Sequence, residues 1–147
     1  MAGGLNQQAR NDSLTRFGGG SPGTAPSAWH ISLHTADPGD ATTIGSEVTG
    51  TGYARVAVNA IGGASPAWQI TGTNPTVLSN ANTVTFAASG AGGWSSGTNI
   101  TYFGVCSASS GGNLLARGSL ASAVSVAGSG VTISFAAGQL VLNAAPT

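Results

Sequence analysis

The segment ITYFGVCSASSGGNLLARGSL, residues 100–120, decides the fold class of this chain. Its first part, 100–107, is mainly apolar on both faces of an extended backbone, which is typical of a central β-strand. Residues 109–113, Ser-Ser-Gly-Gly-Asn, are typical of a turn, and a second apolar stretch follows at 114–120. Together these features predict a β-hairpin inside a sheet.

The same two-residue period recurs over most of the chain from Trp29 onward. Trp29, Ile31 and Leu33 alternate with polar neighbours, which indicates a half-buried strand. Turn residues separate such segments every 8–12 residues or so, a spacing typical of sandwiches and jelly rolls. We therefore predict an all-β fold, an antiparallel β-sandwich or jelly roll of about eight to nine short strands. Further strands are predicted at 53–60, 68–70, 83–87, 124–126, 131–135 and 140–142.

The first 27 residues have a different pattern and are predicted to form an N-terminal arm. Residues 5–17 place apolar or small side chains at steps of four, which predicts a short helix that Gly18 would end. The apolar stripe is thin, so this helix needs a packing partner. Residues 18–27, GGGSPGTAPS, are typical of a flexible linker. The predicted division is an arm with its linker at 1–27 and a β-sandwich domain at 28–147.

Charged residues are unusually rare, at 5% of the chain against about 25% in an average soluble domain. Lysine is absent, and four arginines balance four acidic residues. A nucleic-acid binder or a polybasic membrane anchor requires a basic surface, so neither partner is expected. So little charge favours a protein that is covered by neighbours in an assembly. The alternative is a neutral monomer kept in solution by hydroxyl and amide groups.

Metal-binding and redox motifs are weak in this sequence. His30 and His34 lie four residues apart on a predicted strand, about 13 Å apart, which is too far for one zinc ion. A surface or hydrogen-bonded histidine is therefore the expectation. Asp37 and Asp40 flank a Pro-Gly pair, which predicts a β-turn, with a calcium site as the weaker alternative. Cys106, the single cysteine, is expected to be a small buried side chain.

Motifs of catalysis are also weak. Two G-x-S-x-G patterns, around Ser21 and Ser95, lack the strand–turn–helix context that a hydrolase requires. The glycine-rich run 90–93 has no lysine to complete a phosphate-binding loop. Trp68 and Trp94 are expected in the core, with stacking on sugar rings as the alternative. We therefore predict no catalytic residue, no cofactor and no metal, and expect that the protein is not an enzyme.

Four segments carry a more specific pattern: WHISLHTADPG at 29–39, EVTGTGYARVAV at 47–58, ITYFGVCSASSGGNLL at 100–115 and FAAGQL at 135–140. In this order and spacing they resemble a family of small virion proteins of tailed bacteriophages. The pattern of that family reads G-Y-A-R, then F-G with G-G-N-L-L, then F-A-A-G-x-L. The resemblance implies a structural role in the phage particle and identifies no active residue.

Members of this family are often labelled tail fibre proteins, and small β-sandwich proteins of tailed phages also serve as capsid decoration, or cement, proteins. Our main expectation is a homotrimeric decoration protein on the outer capsid surface that binds the major capsid protein and stabilises the assembled head. The alternative is a tail fibre or receptor-binding module. Arg10, Arg16 and Phe17 are the predicted partner contacts in the arm. The start of the chain shows no secretory signal, so synthesis in the bacterial host cytoplasm is expected.

Overall fold

The secondary structure is dominated by strands. The computed structural model describes residues 3–40, 43–73 and 76–143. These residues form ten β-strands, one α-helix and a short 3₁₀ turn, which confirms an all-β fold with a short N-terminal helix. The elements are β1 Gly3–Leu5, α1 Gln7–Phe17, β2 Ala28–His34, β3 Val56–Asn59, β4 Trp68–Thr71, β5 Val77–Asn80, β6 Val84–Thr85, the 3₁₀ turn Ser95–Gly97, β7 Ile100–Cys106, β8 Leu114–Val124, β9 Ser134–Phe135 and β10 Val141–Asn143.

Eight of these strands form one large sheet in the order β3-β2-β7-β8-β1-β10-β5-β4. Neighbouring strands are antiparallel except for β1 and β10, which are parallel. At the two edges of the sheet, Asn59 at the end of β3 bridges to Ala67 just before β4. The amide of Asn59 also donates a hydrogen bond to the carbonyl of Pro66 at 2.8 Å. The sheet therefore curls until its edges meet, and it is nearly barrel-shaped.

The remaining strands, β6 and β9, form a separate two-stranded sheet that packs on the same hydrophobic core. The strands thus divide into eight and two, whereas a sandwich places two larger sheets face to face. In the core, the ring of Phe86 stacks on Tyr53 and meets Trp94 and Phe135 edge-on, each with a centroid separation of 6.3 Å. Trp94 is fully buried, which confirms its predicted place in the core.

The glycine-rich run before Trp94 has a packing role. Gly93 has a φ of 69°, and a Cβ on it would collide with the carbonyl of Val126. The next amide, that of Trp94, donates to the same carbonyl at 2.8 Å. Close backbone approach at this point therefore directs the indole ring into the core.

Residues 3–5 form a strand of the large sheet, whereas the prediction placed them in a separate arm over 1–27. β1 lies inside the large sheet, where Gly4 pairs with Arg117 of β8 on one side and with Asn143 of β10 on the other. Gly3 has no room for a side chain, since an added Cβ would contact the carbonyl of Arg117. The three-residue strand is thus part of the domain predicted at 28–147. Two glycines and a leucine carry no strand pattern, which is why the sequence did not indicate it.

The N-terminal helix is present, but it begins at Gln7 and not at residue 5. Asn6 caps it, with its side-chain oxygen accepting a hydrogen bond from the amide of Ala9 at 3.4 Å. Gly18 ends it as predicted, because its amide donates to the carbonyl of Leu14 at 2.9 Å. Residues 18–27 contain no helix or strand. Within the described residues, no helix has both the length and the apolar character needed to cross a membrane.

Most predicted strands are present, although several bounds differ. The hairpin within 100–120 is confirmed as β7 and β8, and β7 is an interior strand between β2 and β8. The separate strand predicted at 124–126 is wrong, because β8 continues to Val124 without a break. β5 was not predicted. The strand predicted at 53–60 is present as the shorter strand β3.

Candidate interaction surface

One end of the barrel opens into an apolar groove of about 640 Å³. The inner face of the sheet forms its floor, because pairing register and two-residue alternation place one side chain from each of seven adjacent strands there. These floor residues are Trp29, Val105, Ala116, Leu5, Leu142, Leu78 and Trp68. Helix α1 and residues 22–26 border the opening.

Helix α1 borders this groove without burying any of its own residues. Four large apolar side chains are exposed in the described part of the chain, and two of them lie on α1. Phe17 is 93% exposed and Leu14 is 68% exposed; the others are Ile61 and Ile70. Of these two, Phe17 lines the groove and Leu14 does not. Exposed apolar groups on a helix that borders an apolar groove are typical of a protein contact site. We call Leu14, Phe17 and the groove the α1 surface.

The predicted contact residues are placed differently by the fold. Phe17 and Arg16 both border the groove, and Arg16 forms no salt bridge within the described residues. Arg10 lies apart from them in an intramolecular ion pair. Leu14 was missed in the sequence, although its position three residues before Phe17 places both side chains on one side of a helix. The role of these residues as partner contacts stays a prediction.

Arg10 attaches α1 to the barrel. Its guanidinium donates to the carbonyl of Leu5 at 2.7 Å and pairs with Asp40 at 2.6 Å. Arg117 of β8 pairs with Asp40 at 3.3 Å and with Asp37 at 2.7 Å. The hydrogen bond from Arg10, together with the positive charges of both arginines, lowers the pKa of Asp40. Half of the eight charged residues of the chain thus form one network that holds β1 and α1 in place.

The carboxylate of Asp37 accepts a hydrogen bond from the amide of Gly39 at 2.8 Å, so the chain turns here through a side-chain hydrogen bond and not through the predicted backbone β-turn. The carboxylates of Asp37 and Asp40 both bind arginine, so they are not arranged as calcium ligands. Among the described residues, no three His, Cys, Asp or Glu side chains come together in a way that suits a metal ion.

A second ion pair, Glu47–Arg55, joins the β2–β3 loop to the β7–β8 turn on another part of the surface. Arg55 binds Glu47 through two hydrogen bonds of 2.6 and 2.7 Å, and it also donates to the carbonyls of Ala108 and Gly111. The hydroxyl of Tyr53 donates to the same carboxylate at 3.1 Å. Burial raises the pKa of Glu47, but the hydrogen bonds and charge of Arg55 outweigh it, so the pKa is lowered. Two residues of the G-Y-A-R segment, Tyr53 and Arg55, thus donate hydrogen bonds to the carboxylate of Glu47.

His34, Ser32 and Cys106 form a buried line of polar groups. Nε2 of His34 lies 2.8 Å from Oγ of Ser32, which lies 3.3 Å from Sγ of Cys106. On the other side of the ring, Nδ1 of His34 lies 2.7 Å from the carbonyl of Gly45. Burial lowers the pKa of His34 and raises that of Cys106. All three side chains are fully buried, which confirms the predictions for His34 and Cys106. Nδ1 of His30, by contrast, is buried and has no hydrogen-bond partner among the described residues.

The remaining family-like segments also hold the backbone together. In FAAGQL, the amide of Leu140 donates to Oδ1 of Asn80 at 2.8 Å, and the amide of Gly138 donates to the Asn80 carbonyl at 2.7 Å. In the F-G pair, Gly104 leaves room for His34, since an added Cβ would lie 2.7 Å from its Nε2. The recognisable residues therefore stabilise the domain. Glu47, Arg55 and residues 111–113 also line a shallow polar pocket of about 420 Å³ on the surface.

The two tryptophans considered for sugar stacking are not available for it. Trp68 is 3% exposed and Trp94 is fully buried, so neither ring presents a face to solvent. Trp29, on the groove floor, is half-buried. Among the four exposed large apolar side chains described, the two of the α1 surface include the most exposed one, Phe17, and an exposed apolar group of this kind suits contact with protein.

The domain is thus barrel-shaped, has internal polar clusters and exposes two large apolar side chains, Leu14 and Phe17, on α1. A family model, podophage GP4 fiber I protein gp80, matches residues 4–143. The chain belongs to this family, and it is a structural protein of the phage virion. The family favours the fibre alternative over the capsid decoration protein that was our main expectation. No curated protein matches the chain.

Proposed function

We propose that this protein is a subunit of a podophage tail fibre and that it binds neighbouring virion proteins through the α1 surface. The observation that carries the proposal is the match of nearly the whole domain, residues 4–143, to a fibre protein family. In this role it has no catalytic activity, and its partners are tail proteins and further copies of itself, with a homotrimer as the working stoichiometry. Capsid decoration, with the major capsid protein as partner, is the competing role.

The structure supports attachment through α1. Phe17 and Leu14 remain in solvent on a helix that buries nothing, although most of the large apolar side chains described are buried. Burying one large apolar side chain contributes roughly 1.5–3 kcal/mol, so these two residues can supply a substantial part of an interface energy. The low charge of the chain also reduces the desolvation cost of covering its surface.

Copy number and position distinguish a fibre from a decoration protein. The protein is quantified in purified virions by mass spectrometry with labelled peptide standards and compared with the major capsid protein. A fibre subunit is expected at a small fraction of the capsid protein, with antibody-gold labelling confined to the tail. An amount comparable with that of the capsid protein, with label over the head, would instead establish decoration.

The α1 surface is tested by Phe17→Asp. Since Phe17 contacts little within the chain, this substitution is expected to change the unfolding free energy by less than about 0.5 kcal/mol. It should nevertheless strongly reduce incorporation into virions when the variant complements a phage lacking the gene. Ile61→Asp is the matched control, because Ile61 is also exposed, at 57%, but lies away from α1. Equal incorporation of both variants would exclude Phe17 from the attachment site.

A further inference from the structure

The strand β1 occupies an interior place in the sheet that is reached only through a linker. It inserts between β8 and β10 and pairs with both, so the large sheet is continuous only when this place is filled. The remaining strands of the sheet all follow the linker 18–27 in sequence. The segment 3–17, β1 with α1, is therefore a separate piece of chain that completes the fold from outside.

The contacts of this segment do not depend on which copy of the chain supplies it. β1 is held by backbone pairing and by the close fit of Gly3 against Gly118, where a Cβ on Gly118 would lie 2.8 Å from Cα of Gly3. Among its side chains, Leu5 packs against the hydrophobic core, Asn6 is fully buried and Arg10 binds Asp40. No residue of α1 is buried. A second copy can satisfy each of these contacts equally well.

The linker 18–27 can connect β1 either to the sheet of its own chain or to the sheet of a second copy. Residues 21–27 form no hydrogen bond with the rest of the described chain, and they include two prolines and one glycine. Fully extended, a ten-residue linker over 18–27 spans at most about 33–36 Å, slightly more than the ~30 Å diameter of a small domain. It can therefore carry β1 to the slot of an adjacent copy.

We propose that the segment 3–17 is exchanged between copies of this protein, so that β1 of one copy inserts between β8 and β10 of its neighbour. Exchange keeps every contact of the folded domain, and the linker of each chain then crosses from one domain to the next, which is a low-cost route to an oligomer. It also places Leu14 and Phe17 at the junction between copies. High local concentration in an assembly favours the exchanged form by mass action. The proposal does not depend on the position of the protein in the virion.

Cysteine pairing across β1 and β8 tests this arrangement. Leu5 and Ala116 face each other, and the next pair carries the hydrogen bond from the Asn6 amide to the Leu115 carbonyl at 2.8 Å. Leu5 and Ala116 therefore form a non-hydrogen-bonded pair, the closer type, which suits a disulfide. Both cysteines are introduced in a Cys106→Ser background so that no other thiol competes.

The experiment uses two differently tagged full-length chains, one with Leu5→Cys and the other with Ala116→Cys, which are co-expressed, purified and oxidised. Exchange predicts a mixed disulfide dimer on a non-reducing gel, well above the yield from a control pair of Leu5→Cys with Ile61→Cys. A yield equal to that control, together with an intrachain disulfide in the Leu5→Cys/Ala116→Cys double variant, would overturn the proposal.

Discussion

Replacing Arg55 by methionine tests whether the Glu47–Arg55 pair holds the domain together. The guanidinium joins Glu47 in the loop before β3 to the carbonyls of Ala108 and Gly111 in the β7–β8 turn, at 2.7 and 2.8 Å. Its side chain is only 5% exposed, whereas that of Glu47 is 22% exposed. Methionine keeps much of the aliphatic volume and removes all four hydrogen bonds that Arg55 forms.

The expected loss is about 3 kcal/mol of unfolding free energy at pH 7. Removing one partner of a buried ion pair costs about 3–5 kcal/mol, because the other charge stays buried without compensation. Glu47 keeps some contact with solvent and its hydrogen bond from Tyr53, which places the loss at the lower end of this range. For a chain of this size, such a loss lowers Tm by about 6–12 °C.

Urea denaturation of four proteins measures this effect: the natural chain, Arg55→Met, Glu47→Gln and the double variant. Since both single variants break the same pair, their effects should not add, and the coupling energy is expected to reach about 2 kcal/mol. The pKa of Glu47 is lowered in the fold, so its stabilisation is complete above the ordinary value of 4.5 and is lost as the pH falls further. The deficit of Arg55→Met should therefore shrink below about pH 4.

The outcome that would refute this reasoning is a deficit for Arg55→Met below about 1 kcal/mol, the range of an exposed pair. A deficit that stayed constant from pH 7 to pH 3 would also refute it, since the loss would then not arise from the Glu47 charge.

Two further predictions concern the buried line of polar groups. Gly104→Ala should lower the unfolding free energy in urea by about 1–3 kcal/mol, because the added Cβ would lie 2.6 Å from Oγ of Ser32. Gly128→Ala, where nothing lies within 4 Å of the added Cβ, is the control and should change it by less than about 0.5 kcal/mol. Because burial lowers the pKa of His34, the unfolded chain binds its proton first, and stability should fall as the pH drops below 6.5. His34→Gln should flatten this slope between pH 7 and pH 5, and an unchanged slope would contradict the assignment.

Strands with a clear two-residue period were predictable, since that period depends only on neighbours in the chain. β2, β7 and most of β8 are examples, because their alternation or apolar turn-bounded runs mark them without tertiary information. β1 was not predictable, because its pairing uses backbone groups of Gly3 and Gly4 between two strands that lie more than 100 residues later in the chain.

The candidate surface was predicted only in part. An exposed apolar residue at the end of a thinly apolar helix pointed to Phe17, and the fold leaves it 93% exposed. Arg10 was predicted as a partner contact on charge alone, yet it pairs with Asp40, a residue 30 positions away whose proximity no local pattern indicates. Nor does any local pattern show that the groove exists, since seven strands must first assemble to form its floor.

By itself, the sequence determined that the protein is built from strands, that it carries little charge and that its recognisable segments belong to phage virion proteins. The first two properties follow from the side-chain period of two and from composition, which act within a few residues. The third rests on the resemblance of four short segments to the pattern of that family. Only the tertiary structure decided that the sheet curls until Asn59 meets Ala67 and that β1 fills its middle. Which strands pair depends on the free energy of contacts between residues far apart in the chain, and those contacts exist only once the whole sheet has formed.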